Sequence, residues 1–215
     1  IEDALERITI GISKSNLQDS TKKILIAYHE VGHALVAAFT PNADVVDKIT
    51  ILPRTGGVGG FTRFFPNEEI LDSGLYSKSY LYSKIVVSLG GRAAEQVVFG
   101  TQEVTQGASS DIENVAFLAR QMVTQFGFSA LGPLSIESDT RDVFLGRDLI
   151  NNKKLVSQNT KISIDKEVRI IAFKALNQAI QILESKRDIM DELVNLLLEE
   201  ETINSKRFNS IAFRK

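Results

Sequence analysis

The chain has 215 residues, with 25 basic and 27 acidic side chains, a formal net charge of -2 and no cysteine. That balance leaves no basic excess for a nucleic-acid footprint or an anionic-membrane patch, and no thiol for a disulfide framework, thiolate chemistry or cysteine-ligated zinc. Hydrophobic residues at 43% and charged residues at 24% fit one large globular domain, and no window approaches the roughly 18 apolar residues of a spanning helix.

The chain opens at Ile1 in mid-pattern, with Ala4, Leu5 and Ile8 at helical spacing. Residues 1–12 therefore read as the tail of a preceding helix in a longer protein. Residues 20–39 predict a helix, with Thr21 as a cap and Ile24, Leu25, Tyr28, Leu35 and Val36 at apolar positions. Pro41 and Asn42 stop it. Val45 to Leu52 predicts a strand, Pro53 to Gly60 a turn with four glycines, and Phe61 to Phe65 a short return strand ended by Pro66. Residues 77–98 read as one helix, Gly100 to Gly107 as a loop and 109–126 as a further helix. Gly127 to Asn159 is the least regular stretch. Two long amphipathic patterns follow, 163–185 and 187–200, and a short last helix starts near Ser205 as its cap. The fold class is mainly α: a helical domain with one small β element and a C-terminal helical hairpin. The tyrosines at 76, 80 and 82 read as packing residues, and Lys153-Lys154 as solvated surface.

The chemistry concentrates at the only two histidines, His29 and His33, in the run His29-Glu30-Val31-Gly32-His33. Positions i and i+4 share a helix face, so both imidazoles can reach one metal ion. Catalytic zinc takes three protein ligands and keeps one position open. Glu30 projects about 100° around the helix from His29, where its carboxylate can take a proton from a water activated at the metal. A third histidine six residues on, with a glycine between, would complete one known arrangement, but that position is Phe39. A carboxylate must complete the site, and two candidates stand level. Glu95 lies in Leu89-Gly90-Gly91-Arg92-Ala93-Ala94-Glu95, whose small residues would let another backbone approach closely, at Gly32 and Ala34. Asp111 opens the 109–126 helix. The ordinary alternatives are an ion pair of Glu95 with Arg92 and a helix-dipole role for Asp111. A structural zinc is disfavoured, because no cysteine or third histidine remains to close it.

These residues, with Ile49-Thr50-Ile51-Leu52-Pro53-Arg54, Val98-Phe99-Gly100, Thr105 through Ile112, Ala119-Arg120-Gln121-Met122-Val123, Leu131-Gly132-Pro133 and Phe144-Leu145-Gly146, run in one order from about residue 10 to 213. In that order the chain resembles the peptidase domain of the FtsH family, membrane-anchored AAA+ zinc metalloproteases. Val31 stands where the family often has Ala, and Ser110 where it has Asn or a small residue. The resemblance implies zinc held by His29, His33 and Asp111, with Glu30 as general base. Glu95 then becomes a residue that orients a ligand.

The resemblance also implies the setting. Residues 1–12 would end an AAA+ module and 13–215 would form the zinc metallopeptidase domain. ATP and Mg2+ would enter only through that missing module, because no Gly-x-x-x-x-Gly-Lys-Ser/Thr loop is present. Family members are hexamers, homo- or hetero-oligomeric, acting on unfolded or damaged polypeptides and reaching the membrane through an N-terminal segment. Asp72 to Ser77 and Glu103 to Gly107 look most like the cyanobacterial and chloroplast branch, which implies a thylakoid or related membrane with the protease domain on the stromal or cytoplasmic side. The edge strand near Gly60, Phe61 and Thr62 would suit an extended substrate adding as a further strand. A catalytically silent relative, serving as an assembly or unfoldase-partner ring, is the competing reading; the intact His29, Glu30, His33 and Asp111 argue against it.

Overall fold

The structure is a computed structural model and describes residues 21–53, 59–66, 72, 74–136 and 156–214. The proposed domain boundary at residue 12, most of the glycine-rich turn and the middle of the irregular stretch lie outside the described residues.

Helix α1, Thr21–Phe39, is the centre of the domain. It is buried almost continuously from Ala27 to Ala37, polar motif included. A helix apolar on every side fits only where partners surround it. Those partners are α3 (Gly90–Phe99), α5 (Gln158–Ser185) and α6 (Arg187–Glu200), with α2 (Lys78–Ser88) and strand β1 (Val45–Thr50). The helix ends where Pro41 cannot donate and Asn42 takes a left-handed φ of 61°.

Strand β1 is central in a three-stranded antiparallel sheet of order β2-β1-β3, with β2 at Phe61–Phe65 and β3 at Thr202–Asn204. Strand β1 ends at Thr50, short of the expected Leu52; there the Thr50 hydroxyl donates to the Glu201 carbonyl at 3.0 Å and the Ile51 N–H to the same carbonyl at 3.1 Å. Three residues are too few to show a strand period, so β3 has no signature in sequence. It pairs because α6 ends in a left-handed Glu201 and feeds straight back along β1.

The segment expected as one helix over 77–98 is two. Helix α2 ends at Ser88 and α3 begins at Gly90, broken at Leu89. The break lets α3 lie tight on α1: a Cβ on Gly32 would stand 2.6 Å from both the Ala94 Cβ and the Gly90 carbonyl, and one on Gly90 would stand 2.9 Å from the His33 Cα. The expected close approach is therefore realised at Gly32. Helix α4 runs Ser109–Thr124 and closes earlier than expected, with Gly127 left-handed and Phe128 N–H donating to the Met122 carbonyl at 2.7 Å. Helix α5 begins earlier than its apolar pattern, because Ser157 caps it through the Thr160 N–H. Its hairpin with α6 turns at Lys186 and contributes Ala175, Ala179, Leu183, Met190, Leu193, Val194 and Leu197 to the core. The last helix, α7 at Ser205–Ala212, is capped by Asn204, which accepts from Arg207 N–H, and not by Ser205. It buries Phe208 to 1% exposure.

Candidate metal centre and active site

Helix α1 presents His29 and His33 on one face, as the four-residue spacing requires, and their Nε2 atoms stand 3.1 Å apart. Asp111, in the first turn of α4, brings one carboxylate oxygen to 3.5 Å from each Nε2. These three residues are the only group of metal-ligating side chains so clustered among the described residues. Of the two carboxylates that spacing left level, Asp111, the one the family resemblance favours, faces the Nε2 atoms of both imidazoles.

Glu95 sits behind His29. It is fully buried, accepts from His29 Nδ1 at 2.8 Å through Oε1, and takes the Thr105 N–H at 2.7 Å through Oε2. These two contacts, and not the alternative ion pair with Arg92, are what the structure shows on Glu95. One carboxylate thus fixes a histidine on α1 and the loop that leads into α4, where Thr105 caps the 3-10 turn Gln106–Ala108 before Asp111. On the second histidine, Nδ1 faces the Val87 carbonyl at 2.8 Å, just before the break at Leu89. That partner is backbone and leaves no trace in sequence.

These outer partners set the tautomers. A carbonyl and an ionised carboxylate can only accept, so both Nδ1 atoms carry their protons and both Nε2 atoms face each other and Asp111. Two Nε2 atoms and an anion at 3.1–3.5 Å hold one shared cation among them, a proton in the metal-free protein or a metal ion in its place. Tetrahedral zinc with Zn–N bonds of about 2.0–2.1 Å sets its ligand atoms ~3.4 Å apart, which matches this spacing. The residues therefore fit zinc.

The electrostatics agree. Burial opposes charge on His29, but Asp111, Glu95 and Glu30 outweigh it and raise the imidazole to about 9 without metal. Burial alone would lift Asp111, yet its contacts with His29 and His33 hold the carboxyl far below the ordinary range. Glu95 is likewise held low: the His29 and Thr105 bonds overcome its burial. Glu30 goes the other way. Its burial pushes the carboxyl up, and His33, His29 and the Thr62 hydroxyl only partly offset that. A carboxylate raised toward neutrality is suited to accept and return a proton.

The four groups open into a cleft of about 830 Å³. Strand β2, with Gly59 and Gly60 before it, forms one rim through Phe61, Thr62 and Phe64, and Leu25, Ile26 and Val87 add apolar wall. The sequence reading placed Gly60, Phe61 and Thr62 beside the site but missed one contact: the Thr62 hydroxyl lies 2.8 Å from Glu30 Oε2 and 3.0 Å from the Glu30 carbonyl.

Two imidazoles and a carboxylate converging on one point, beside a buried carboxylate of raised proton affinity, are the donor set and base that metal-assisted hydrolysis uses. On a helical scaffold that arrangement fits a metallopeptidase, and the family match gives the class. The family follows from comparison with known proteins: a model of peptidase family M41 matches residues 16–211, and the chain belongs to that family. It is 45% identical over 213 residues to ATP-dependent zinc metalloprotease FtsH 3 of Synechocystis sp., covering 98% of this chain and 34% of that protein. It is 47% identical over 211 residues to ATP-dependent zinc metalloprotease FtsH of Cyanidium caldarium, covering 98% and 34%. It is 46% identical over 213 residues to ATP-dependent zinc metalloprotease FTSH 1, chloroplastic, of Arabidopsis thaliana, covering 98% and 30%. The chain spans about a third of the length of these curated relatives. No described helix is long and apolar enough to cross a membrane.

Proposed function

We propose that the chain is the zinc endopeptidase module of an ATP-driven, membrane-anchored protease that degrades unfolded or damaged proteins. The observation that carries this reading is the meeting of His29 Nε2, His33 Nε2 and an Asp111 oxygen within 3.5 Å, with Glu30 buried beside them. His29, His33 and Asp111 hold the zinc. Zinc bound there polarises the scissile carbonyl and lowers the pKa of a bound water toward about 7. Glu30 takes the proton of the attacking water and returns it to the leaving amine. Glu95 keeps His29 in the productive tautomer and orientation and ties the Asp111 loop to it.

Strand β2 lies at the sheet edge and along the cleft, which supports an extended substrate pairing beside it at Gly60, Phe61 and Thr62. Backbone N-methylation of a peptide near its cleaved bond should raise KM; methylated and plain peptides with equal KM would exclude strand pairing. ATP and Mg2+ would act through an AAA+ module, residues 1–12 forming its end. The names of the relatives support an ATP-dependent protein, and their sources support a thylakoid or cyanobacterial membrane setting. A homo- or hetero-hexamer remains the assembly the family resemblance implies.

The test is Glu30→Gln. The variant should keep zinc and lose cleavage of unfolded casein by ~100-fold or more, within the usual range for loss of a general base. Near-parental cleavage with zinc retained would remove Glu30 as base; a parent that takes up zinc but never cleaves would favour the silent-ring reading.

A further inference from the structure

The Thr62 hydroxyl lies 2.8 Å from Glu30 Oε2 and 3.0 Å from the Glu30 carbonyl; it has one proton to give, and an ionised carboxylate is the stronger acceptor. The reach of Thr62 depends on how closely β2 approaches α1. A Cβ on Gly60 would stand 2.8 Å from Ile26 Cγ2 and 3.0 Å from Glu30 Cγ, and one on Gly59 would stand 2.5 Å from Ile26 Cδ1. These two glycines let the strand run against the helix, and two residues later Thr62 points its hydroxyl at Glu30. On the opposite edge of β2, Thr62 pairs with Ile49, which is fully buried, so its backbone is held by the sheet and not by Glu30.

A glutamate has three rotatable bonds, and catalytic groups need placement within about 0.5 Å and 10–20°. The α1 helix fixes the Glu30 backbone, while its carboxylate feels the charge of His33 and His29 without a hydrogen bond to either. We propose that Thr62 is a positioning residue: its hydroxyl anchors Glu30 Oε2, sets the carboxylate plane, and leaves Oε1 to meet the reacting water. The same strand that rims the cleft for substrate thereby aims the base. This rests on the reading of Glu30 as general base.

The experiment uses the zinc-loaded protein at its full natural length, with unfolded casein as substrate, and compares Thr62→Val, Thr62→Ser and Glu30→Gln. Valine keeps the β-branch and the strand while deleting the donor. For Thr62→Val, kcat should fall roughly 10- to 100-fold, the scale of a misplaced catalytic group, with KM within about twofold, the pattern of a lost transition-state interaction. Zinc per chain and melting temperature should stay parental, and Thr62→Ser should recover most of kcat. Three outcomes overturn the inference: kcat within about twofold of parent in Thr62→Val while Glu30→Gln is inactive; a rise in KM without a fall in kcat, which assigns Thr62 to substrate pairing; or loss of zinc or melting temperature in Thr62→Val, which assigns it to scaffolding. If Glu30→Gln itself stays active, the base assignment fails first, and the inference with it.

Discussion

Replacing Gly91 by alanine separates helix propensity from site geometry. In an open helical position the change adds about 0.8–1.0 kcal/mol of stability, which in a domain of this size raises the melting temperature by roughly 2–4 °C. Here the added Cβ would stand 2.4 Å from both Cε1 and Nε2 of His29. Carbon atoms in contact prefer about 3.5–4.0 Å, so the ring must retreat by roughly 1 Å. That retreat moves the ligating Nε2 and strains the 2.8 Å bond from Nδ1 to Glu95. Overpacking of this kind costs about 1–3 kcal/mol and cancels or exceeds the propensity gain. Gly91→Ala should therefore melt at or a few degrees below the parent in the metal-free state. It should also lose zinc affinity by ~10- to 100-fold, the scale seen when a ligand's support is disturbed. Chelator competition measures the affinity and calorimetric melting the stability. A variant that melts higher and binds zinc as tightly as the parent would refute the packing of α3 on His29.

Two further outcomes follow from the site. Glu95→Gln should weaken zinc binding by ~10- to 100-fold while chain folding persists, checked by the same chelator titration; an unchanged affinity would strip Glu95 of its role behind His29. Metal and proton also compete for His29. Its folded pKa, near 9, lies above the ordinary 6.5, so the stability it gives the metal-free protein is complete below about 6.5 and lost as pH rises through 9. Zinc uptake near pH 7 should release a proton from His29, and apparent affinity should rise with pH up to about 9. Calorimetry in buffers of different ionisation heats reads this directly, and zinc uptake at pH 7 with no proton release would contradict it.

The parts of this domain carried by side-chain period or by unusual residue types could be read from the chain alone. The α1 helix with both histidines, the β1–β2 pair and the C-terminal hairpin each have a pattern long enough to count. The proposed site was readable to the extent that its candidate ligands are rare: two histidines four apart admit few alternatives. The third ligand was not, because Glu95 and Asp111 are both carboxylates on helices, and only their side in space separates them. Glu95 faces the Nδ1 of His29 and Asp111 faces the Nε2 atoms. Partners made of backbone had no signal at all, as with the Val87 carbonyl on His33 and the Glu201 carbonyl on Thr50. The break at Leu89 was hidden for a related reason. Gly90 and Gly91 signalled close packing inside one continuous helical pattern, and the break before them shows only in the packing on α1.

The most direct test of the metal centre is zinc content per chain in the parent beside Asp111→Ala and Glu95→Gln. With His29, His33 and Asp111 as ligands, the parent should hold about one zinc, Asp111→Ala should lose it, and Glu95→Gln should retain it at saturating metal with lowered affinity. Full zinc in Asp111→Ala together with none in Glu95→Gln would move the third ligand to α3 and contradict the site as built here.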